Sequence, residues 1–468
     1  MLDQIFEQFA RQAPVPVMMR AILENILSPA RLNAVFDDTA QQQYTRQLTF
    51  DAVVALLAEV VTKRQASVYQ AYRARREQLA VSAKALYDKI DGTEPETAKA
   101  LAARTAREME LVTRALGGAQ PALLPGYRTK ILDGTHFAAT DRRLALLRAQ
   151  GACLPGHVLA VLDPALQMIL AIEPCEDAHT QERALVPEIL KTAEANDLWI
   201  ADRNFCTAKL MFGLAARGAF FIVRHHAQSY RWKALGDFDS DAAVAEQPIV
   251  VYDERGAELR LRRVRLHLPE PTRDGDTELL LLTNLPMQIA AAIIARLYRS
   301  RWKIESAFQE ATVDLTCEIA SLGHPRAAIL VFAVAVVCFN ALQLLKAALR
   351  VRVAEEARTG AAREVEPSPA AEPSAIADPW STYYLAQTIA SVWEGMRISL
   401  PDPLWNERFA DLNHVELADR LRSLAQNVRL DDFRKRRRTN KPSPRRPPPK
   451  PGSHASTARL LNPSKHKK

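Results

Sequence analysis

Apolar positions recur at helical spacing through the first 120 residues and at strand spacing after residue 128, so the period of the pattern divides the chain. Within 1–120, Asp51 to Lys63 and Ala66 to Ile90 read as helices, and Thr93-Glu-Pro-Glu96 reads as a capping box opening a third. Lys130 to Thr135, His157 to Leu162 and Gln167 to Glu173 then read as three strands in succession, the last two joined by the turn Asp163-Pro-Ala. Thr180 is expected to cap a helix reaching Ala193, and Leu198-Trp-Ile-Ala-Asp202 reads as a strand buried on both faces. Thr207 caps the next helix, which stops at Gly218, and Ala219 to Arg224 is a fifth strand. Alternation returns in Leu259 to Leu268, followed by an apolar strand over Glu278 to Thr283. From Asn284-Leu-Pro286 a long helix is expected through about Leu315, and a core helix over Pro325 to Leu349. Helical patterns recur at Ser381 to Met396 and Val415 to Gln426.

These elements suggest a helical DNA-binding domain over 1–120, an α/β core over 125–227 and 285–350, and a β-rich insertion over 228–284. A linker over 351–379, a helical C-terminal region over 380–430 and a disordered basic tail over 431–468 complete the expected layout. The order of strands and helices in the core is that of a ribonuclease H-like fold.

Charge changes the picture at one end. The net charge is +8, but 13 Lys and Arg and no acid fall between Arg434 and Lys468, leaving −5 for the rest. A Pro-rich basic tail cannot bury enough apolar surface to fold, and it attracts polyanions by counterion release. Arg73, Arg75, Arg76 and Lys84 add basic positions to the N-terminal helices. The five cysteines form no C-x-x-C pair, which argues against a disulfide framework or structural zinc and fits a cytoplasmic protein. No secretion signal is read, and the longest apolar run, Ala327 to Phe339, is shorter than the ~20 residues of a spanning helix, so no membrane role is expected.

In the expected fold the first strand, the end of the fourth and the late helix meet on one side of the sheet, and Asp133, Asp202 and Glu305 occupy those places. Carboxylates ending apolar strands cost stability, and three that converge raise one another's pKa unless cations hold them together. Hard divalent ions, Mg²⁺ with Mn²⁺ as substitute, suit such oxygen ligands. On a continuous helix Tyr298, Arg301, Glu305 and Thr312 project within a sector of about 60°, so Arg301 and Tyr298 can address phosphates beside the acid. His136 is expected to point away from Asp133, His225 and His226 to opposite faces, Trp302 to pack in the core, and Asp141 with Arg142 and Arg143 to form a turn.

Asp133-Gly-Thr135, Asp202-Arg-Asn-Phe205 and Tyr298-x2-Arg301-x3-Glu305 together resemble the DDE transposases of bacterial insertion sequences, specifically the insertion sequence 4 family, over residues 125 to 345. The resemblance implies cut-and-paste DNA transposition by two metal ions, which Asp133 bridges while Asp202 and Glu305 complete one each. It also implies recognition of terminal inverted repeats, capture of target DNA, a homodimeric synaptic complex in the bacterial nucleoid, and DNA contact by Arg224. Thr312 stands where the family pattern has Lys. That departure keeps open a non-catalytic DNA-binding protein derived from a decayed transposase, beside a ribonuclease H-like nuclease.

Overall fold

The computed structural model describes residues 1–43, 47–137, 153–154, 156–226, 230–271, 275–319, 321–358, 378–436 and 455–456. The turn expected around Asp141, most of the expected linker and most of the basic tail lie outside them. The chain divides into a helical unit (1–119, 138–155, 310–468) and a sheet unit (120–137, 156–309).

The helical unit holds α1 (Leu2–Gln12), α2 (Pro14–Ile26), α3 (Pro29–Thr39), α4 (Phe50–Val61), α5 (Val68–Ala74), α6 (Arg76–Leu79), α7 (Ala83–Gly92) and α8 (Pro95–Leu116), then α13 (Pro325–Arg358), α14 (Thr382–Ser399), α15 (Asp402–Phe409) and α16 (His414–Ala425). A two-residue strand, β2 (Cys153–Leu154), pairs in parallel with β11 (Ala455–Ser456). Helix α13 runs nine residues past its expected end at Leu349 and packs against α2, α4, α7, α8 and α16. By length and composition it could cross a membrane, with a mean hydropathy of 2.5 over its most apolar window, yet 94% of that window is buried inside the protein.

Two expected helix starts differ. The stretch 66–90 is three helices: Ser67 accepts from the Gln70 amide and caps α5 at Val68, and Ser82 accepts from the Ala85 amide and caps α7 at Ala83. No capping box forms at Thr93. Its hydroxyl donates back to the Lys89 carbonyl, while Glu94, the N-cap of α8, accepts from the Gln41 and Gln42 amides.

The sheet unit is built on nine strands: β1 (Arg128–His136), β3 (His157–Asp163), β4 (Met168–Cys175), β5 (Asp197–Ala201), β6 (Phe220–Arg224), β7 (Arg231–Ala234), β8 (Val244–Tyr252), β9 (Glu258–His267) and β10 (Glu278–Thr283). Their order is β4-β3-β1-β5-β6-β10-β9-β8-β7. The first five are a ribonuclease H-like arrangement: β3 lies antiparallel to β1 and β4 to β3, while β5 is parallel to β1 and β6 to β5. β5 is buried along its whole length, as a parallel strand covered on both faces must be. The strands of 228–284 continue this sheet, since β10 pairs antiparallel with β6, placing Leu281 opposite Arg224.

Helix α9 (Val186–Leu190) and α10 (Ala208–Ala215) cover one face, packing Val186, Ile189, Leu210 and Leu214 with Leu132, Trp199 and Phe221. Thr207 caps α10 by accepting from the Leu210 amide. Thr180 caps nothing. Residues Glu182–Leu185 form a 3-10 turn, and α9 begins only where Pro187, which lacks an N–H, can sit in a first turn.

The expected helix from Asn284 is two helices, α11 (Ala291–Arg299) and α12 (Trp302–Val313). The start is delayed because the Asn284 side chain serves the sheet, accepting from the Phe221 amide and donating to the Ala219 carbonyl. At Ser300 and Arg301 the chain tightens, with i to i−3 hydrogen bonds from the amides of Ser300, Arg301, Lys303 and Ile304.

Candidate active site

Asp133 lies on β1 three residues before its end, next to the buried Ile131 and Leu132. Its carboxylate accepts from the Gly134 amide at 2.9 Å and from Arg301 Nη1 at 3.0 Å. The same Nη1 stands 2.7 Å from Glu305 Oε1. The two acid oxygens are therefore no farther apart than the sum of those distances. Asp202 directly follows β5, next to β1 in the sheet, and accepts from the Arg203 amide at 2.5 Å.

Burial pushes the Asp133 carboxyl up to about 6, against the pull of Arg301 and of the Gly134 N–H; Asp202 and Glu305 push it further the same way. Tyr298, buried at the end of α11, has its phenol raised to about 12, first by burial and then by Asp202, while Arg301 and Arg224 oppose the rise. Desolvation works against the charge of Arg301, yet Tyr298, Asp133, Glu305 and Asp202 together hold its pKa above the ordinary value. Asp133 on β1, Asp202 after β5, Tyr298 on α11, Arg301 between α11 and α12, and Glu305 on α12 thus form one electrostatic group.

Arg224 acts on Tyr298 from the end of β6, and its guanidinium is paired with Asp276 at 2.5 Å. Asp276 lies in a loop of the insertion and carried no signal in the sequence. Thr312 belongs to the helical unit, where its hydroxyl lies 3.4 Å from Cys317 Sγ. The α12 start corrects the continuous-helix projection: with 3-10 bonds at 300–301 the turn per residue is nearer 120° there than 100°.

Trp302 does not pack in the core. It is 61% exposed, with the Arg301 guanidinium 5.0 Å from its ring centroid. His225 is enclosed by Tyr230 and Trp232, and burial first, then Arg263 and His226, lowers its pKa to about 4, whereas His226 is exposed. His136 lies against His157, ring centroids 5.1 Å apart, with Nδ1 3.9 Å from Glu182. Of the basic residues in α5–α7, Arg75 pairs with Glu59 and Lys84 with Asp88, while Arg73 and Arg76 are exposed.

The acids supply only oxygen donors, which fits a hard divalent ion. Among the described residues no three His, Cys, Asp or Glu side chains are arranged to hold one; a guanidinium stands between two of the acids.

No curated protein matches the chain. Among solved structures it is similar to the piggyBac transposase in a synaptic complex with hairpin DNA, at 10% identity over 86% of each chain with a TM-score of 0.41, too distant a likeness to carry argument. Residues 124–317, less than half of the chain, match the family model described as a transposase DDE domain. That match supports a DDE transposase domain in the segment that holds Asp133, Asp202, Arg301 and Glu305.

Proposed function

We propose that the protein is the transposase of a bacterial insertion sequence, of the insertion sequence 4 family, acting on DNA at Asp133, Asp202 and Glu305. The transposase domain match supports DNA transposition. One observation carries the finer reading: a single nitrogen of Arg301 lies within hydrogen-bond reach of both Asp133 and Glu305, with Asp202 close enough to raise the Asp133 pKa.

Three acids gathered from distant parts of the chain are a destabilising arrangement, and Asp133 in particular resists ionisation in its present surroundings. Divalent cations relieve that cost. Asp133, Asp202 and Glu305 would hold two Mg²⁺ ions. Such ions, when bound, lower the pKa of an attacking water or 3′-hydroxyl and stabilise the leaving oxygen of the phosphodiester. The chain's own part is positional. Arg301 offers a planar fork to a phosphate once it leaves the acids, and the Tyr298 hydroxyl, protonated at neutral pH, is a donor there. Arg224 supplies further positive charge beside Tyr298. Terminal inverted repeats, target DNA and a second copy of the chain are the partners this reading requires.

The test is incubation of the full-length protein with DNA flanking its own gene, with and without Mg²⁺. Metal-dependent nicking at the boundary of an inverted repeat, abolished by Asp133→Ala, is expected. Thr312, uncharged and in contact with Cys317, favours a second reading as a DNA-binding protein without cleavage. Binding to the same DNA with no nicking in Mg²⁺ or Mn²⁺ would select it.

A further inference from the structure

Gly134 and Asn204 follow the first two acids by one and two residues, and neither carries a carboxylate. Both meet the same side chain. Asn204 Nδ2 donates to Glu182 Oε2 at 2.6 Å, and a Cβ placed on Gly134 would run into the Glu182 carboxyl group. Gly134 has no need of a left-handed backbone, since it lies within β1. What the position requires is the absence of a side chain, so that a carboxylate can rest against the strand. Glu182 sits at the start of the 3-10 turn before α9, with its side chain 16% exposed.

We infer that Glu182 is a positioning residue, a strut that fixes the turn bearing Asp202 against the strand bearing Asp133. The geometry is direct. Asp202 is the N-cap of the 3-10 turn Arg203–Phe205, and Asn204 is the middle residue of that turn. A carboxylate that accepts from Asn204 while lying on Gly134 ties the two backbones together beside the acids. Successive strand residues face opposite sides, so Glu182 works from the face opposite the Asp133 side chain and competes for none of the ligands' oxygens. The inference rests on the reading of Asp133 and Asp202 as metal ligands, and it gives Glu182 the role that groups behind metal ligands usually have: to set their orientation.

The test uses Asn204→Asp alone and together with Glu182→Gln in the full-length protein. The single change sets two carboxylates against each other. The pair restores one hydrogen bond with donor and acceptor exchanged, at the original net charge. Two readouts separate the strut from the metal reading. In metal-free protein, hydrogen–deuterium exchange over residues 202–206 should quicken in N204D and return toward the parent rate in the double variant. In a Mn²⁺ titration followed by electron paramagnetic resonance, N204D should raise the half-saturating concentration about tenfold, and the double variant should recover most of it. Added negative charge alone would tighten Mn²⁺ binding, so weakening cannot come from charge. Unchanged exchange in N204D, or no recovery in the double variant, overturns the strut. A parent protein that binds no Mn²⁺ defeats the metal reading, and the exchange measurement still judges the strut.

Discussion

Arg301 donates from Nη1 to Asp133 Oδ2 at 3.0 Å, so the residue proposed to bind phosphate is held by an acid proposed to bind metal. A cation between Asp133 and Glu305 and the guanidinium of Arg301 cannot share one position. On the proposed function, Arg301 would have to move as ions enter, and phosphates of bound DNA would give it an equivalent partner.

Competition of this kind has opposite effects on binding and on turnover. Arg301→Gln should lower the Mn²⁺ concentration needed for half-saturation of the DNA-free protein by about fivefold, since one competing positive charge beside two carboxylates is removed. At saturating metal the same variant should cleave repeat-bearing DNA at least about a hundredfold more slowly, for want of a cationic donor to the phosphate. Weaker Mn²⁺ binding by R301Q would show that the arginine assembles the acids instead of competing for them.

Asp133 also sets a stability that depends on pH. Its folded pKa, about 6, lies above the ordinary 3.8. Well below pH 3.8 the group is protonated in folded and unfolded chains alike, and as pH rises from there toward 6 the unfolded chain gains more from ionising, so stability is lost. Asp133→Asn mimics the protonated acid and should be more stable than the parent by about 3 kcal/mol at pH 7.5 without divalent ions. The difference should vanish at about pH 3. Thermal melts at the two values check it, and an equal gain at both would assign the effect to packing.

The buried histidine of β3 works in the other sense. His157 is fully buried, neither ring nitrogen has a partner among the described residues, and burial, then His136, lowers its pKa to about 4 against the opposing pull of Asp177. Its contribution is complete above pH 6.5, where it is neutral in both states. It is lost as pH falls toward 4, because the unfolded chain takes up the proton first, to a limit of about 3 kcal/mol. His157→Phe should flatten the fall in melting temperature between pH 7 and pH 5. An unaltered slope would place the acid sensitivity elsewhere, with His225 the next group to substitute.

Strands were easier to read than helix starts. Leu198 to Ala201 is apolar at every position because both faces of β5 are covered, and that leaves little room for another assignment. The ends of helices depended on competition for backbone groups that residue types alone do not reveal. Thr93 has the right neighbours for a capping box, yet its hydroxyl is used by the preceding helix. The break at Ser300–Arg301 carries neither Pro nor Gly to mark it. Within the candidate site, Asp133 and Arg301, singled out from stretches 168 residues apart, stand in contact. Glu182 was invisible for the same reason that it is informative: it lies outside every motif, and only the fold brings it to Gly134 and Asn204.

Glu310 belongs to a buried polar cluster of the helical unit, where single substitutions should be costly. Lys346, 1% exposed on α13, places Nζ 3.3 Å from Glu310 Oε2 on α12, 3.0 Å from Asp378 Oδ2 and 2.6 Å from the Thr382 hydroxyl at the start of α14. Thr382 in turn donates to Glu310 at 2.7 Å. One ammonium group thus satisfies two acids and a hydroxyl from three elements. Lys346→Met keeps the apolar stem but leaves Asp378, 10% exposed, with Arg350 as its remaining counter-charge, 3.7 Å away. Removing one partner of a buried ion pair costs about 3–5 kcal/mol, most of it from the charge left behind. K346M should therefore lower the urea midpoint sharply, and adding Asp378→Asn should recover part of the loss by removing that stranded charge. If the second substitution deepens the loss instead, Asp378 is stabilised chiefly by Arg350, and the ammonium of Lys346 serves Glu310 and Thr382.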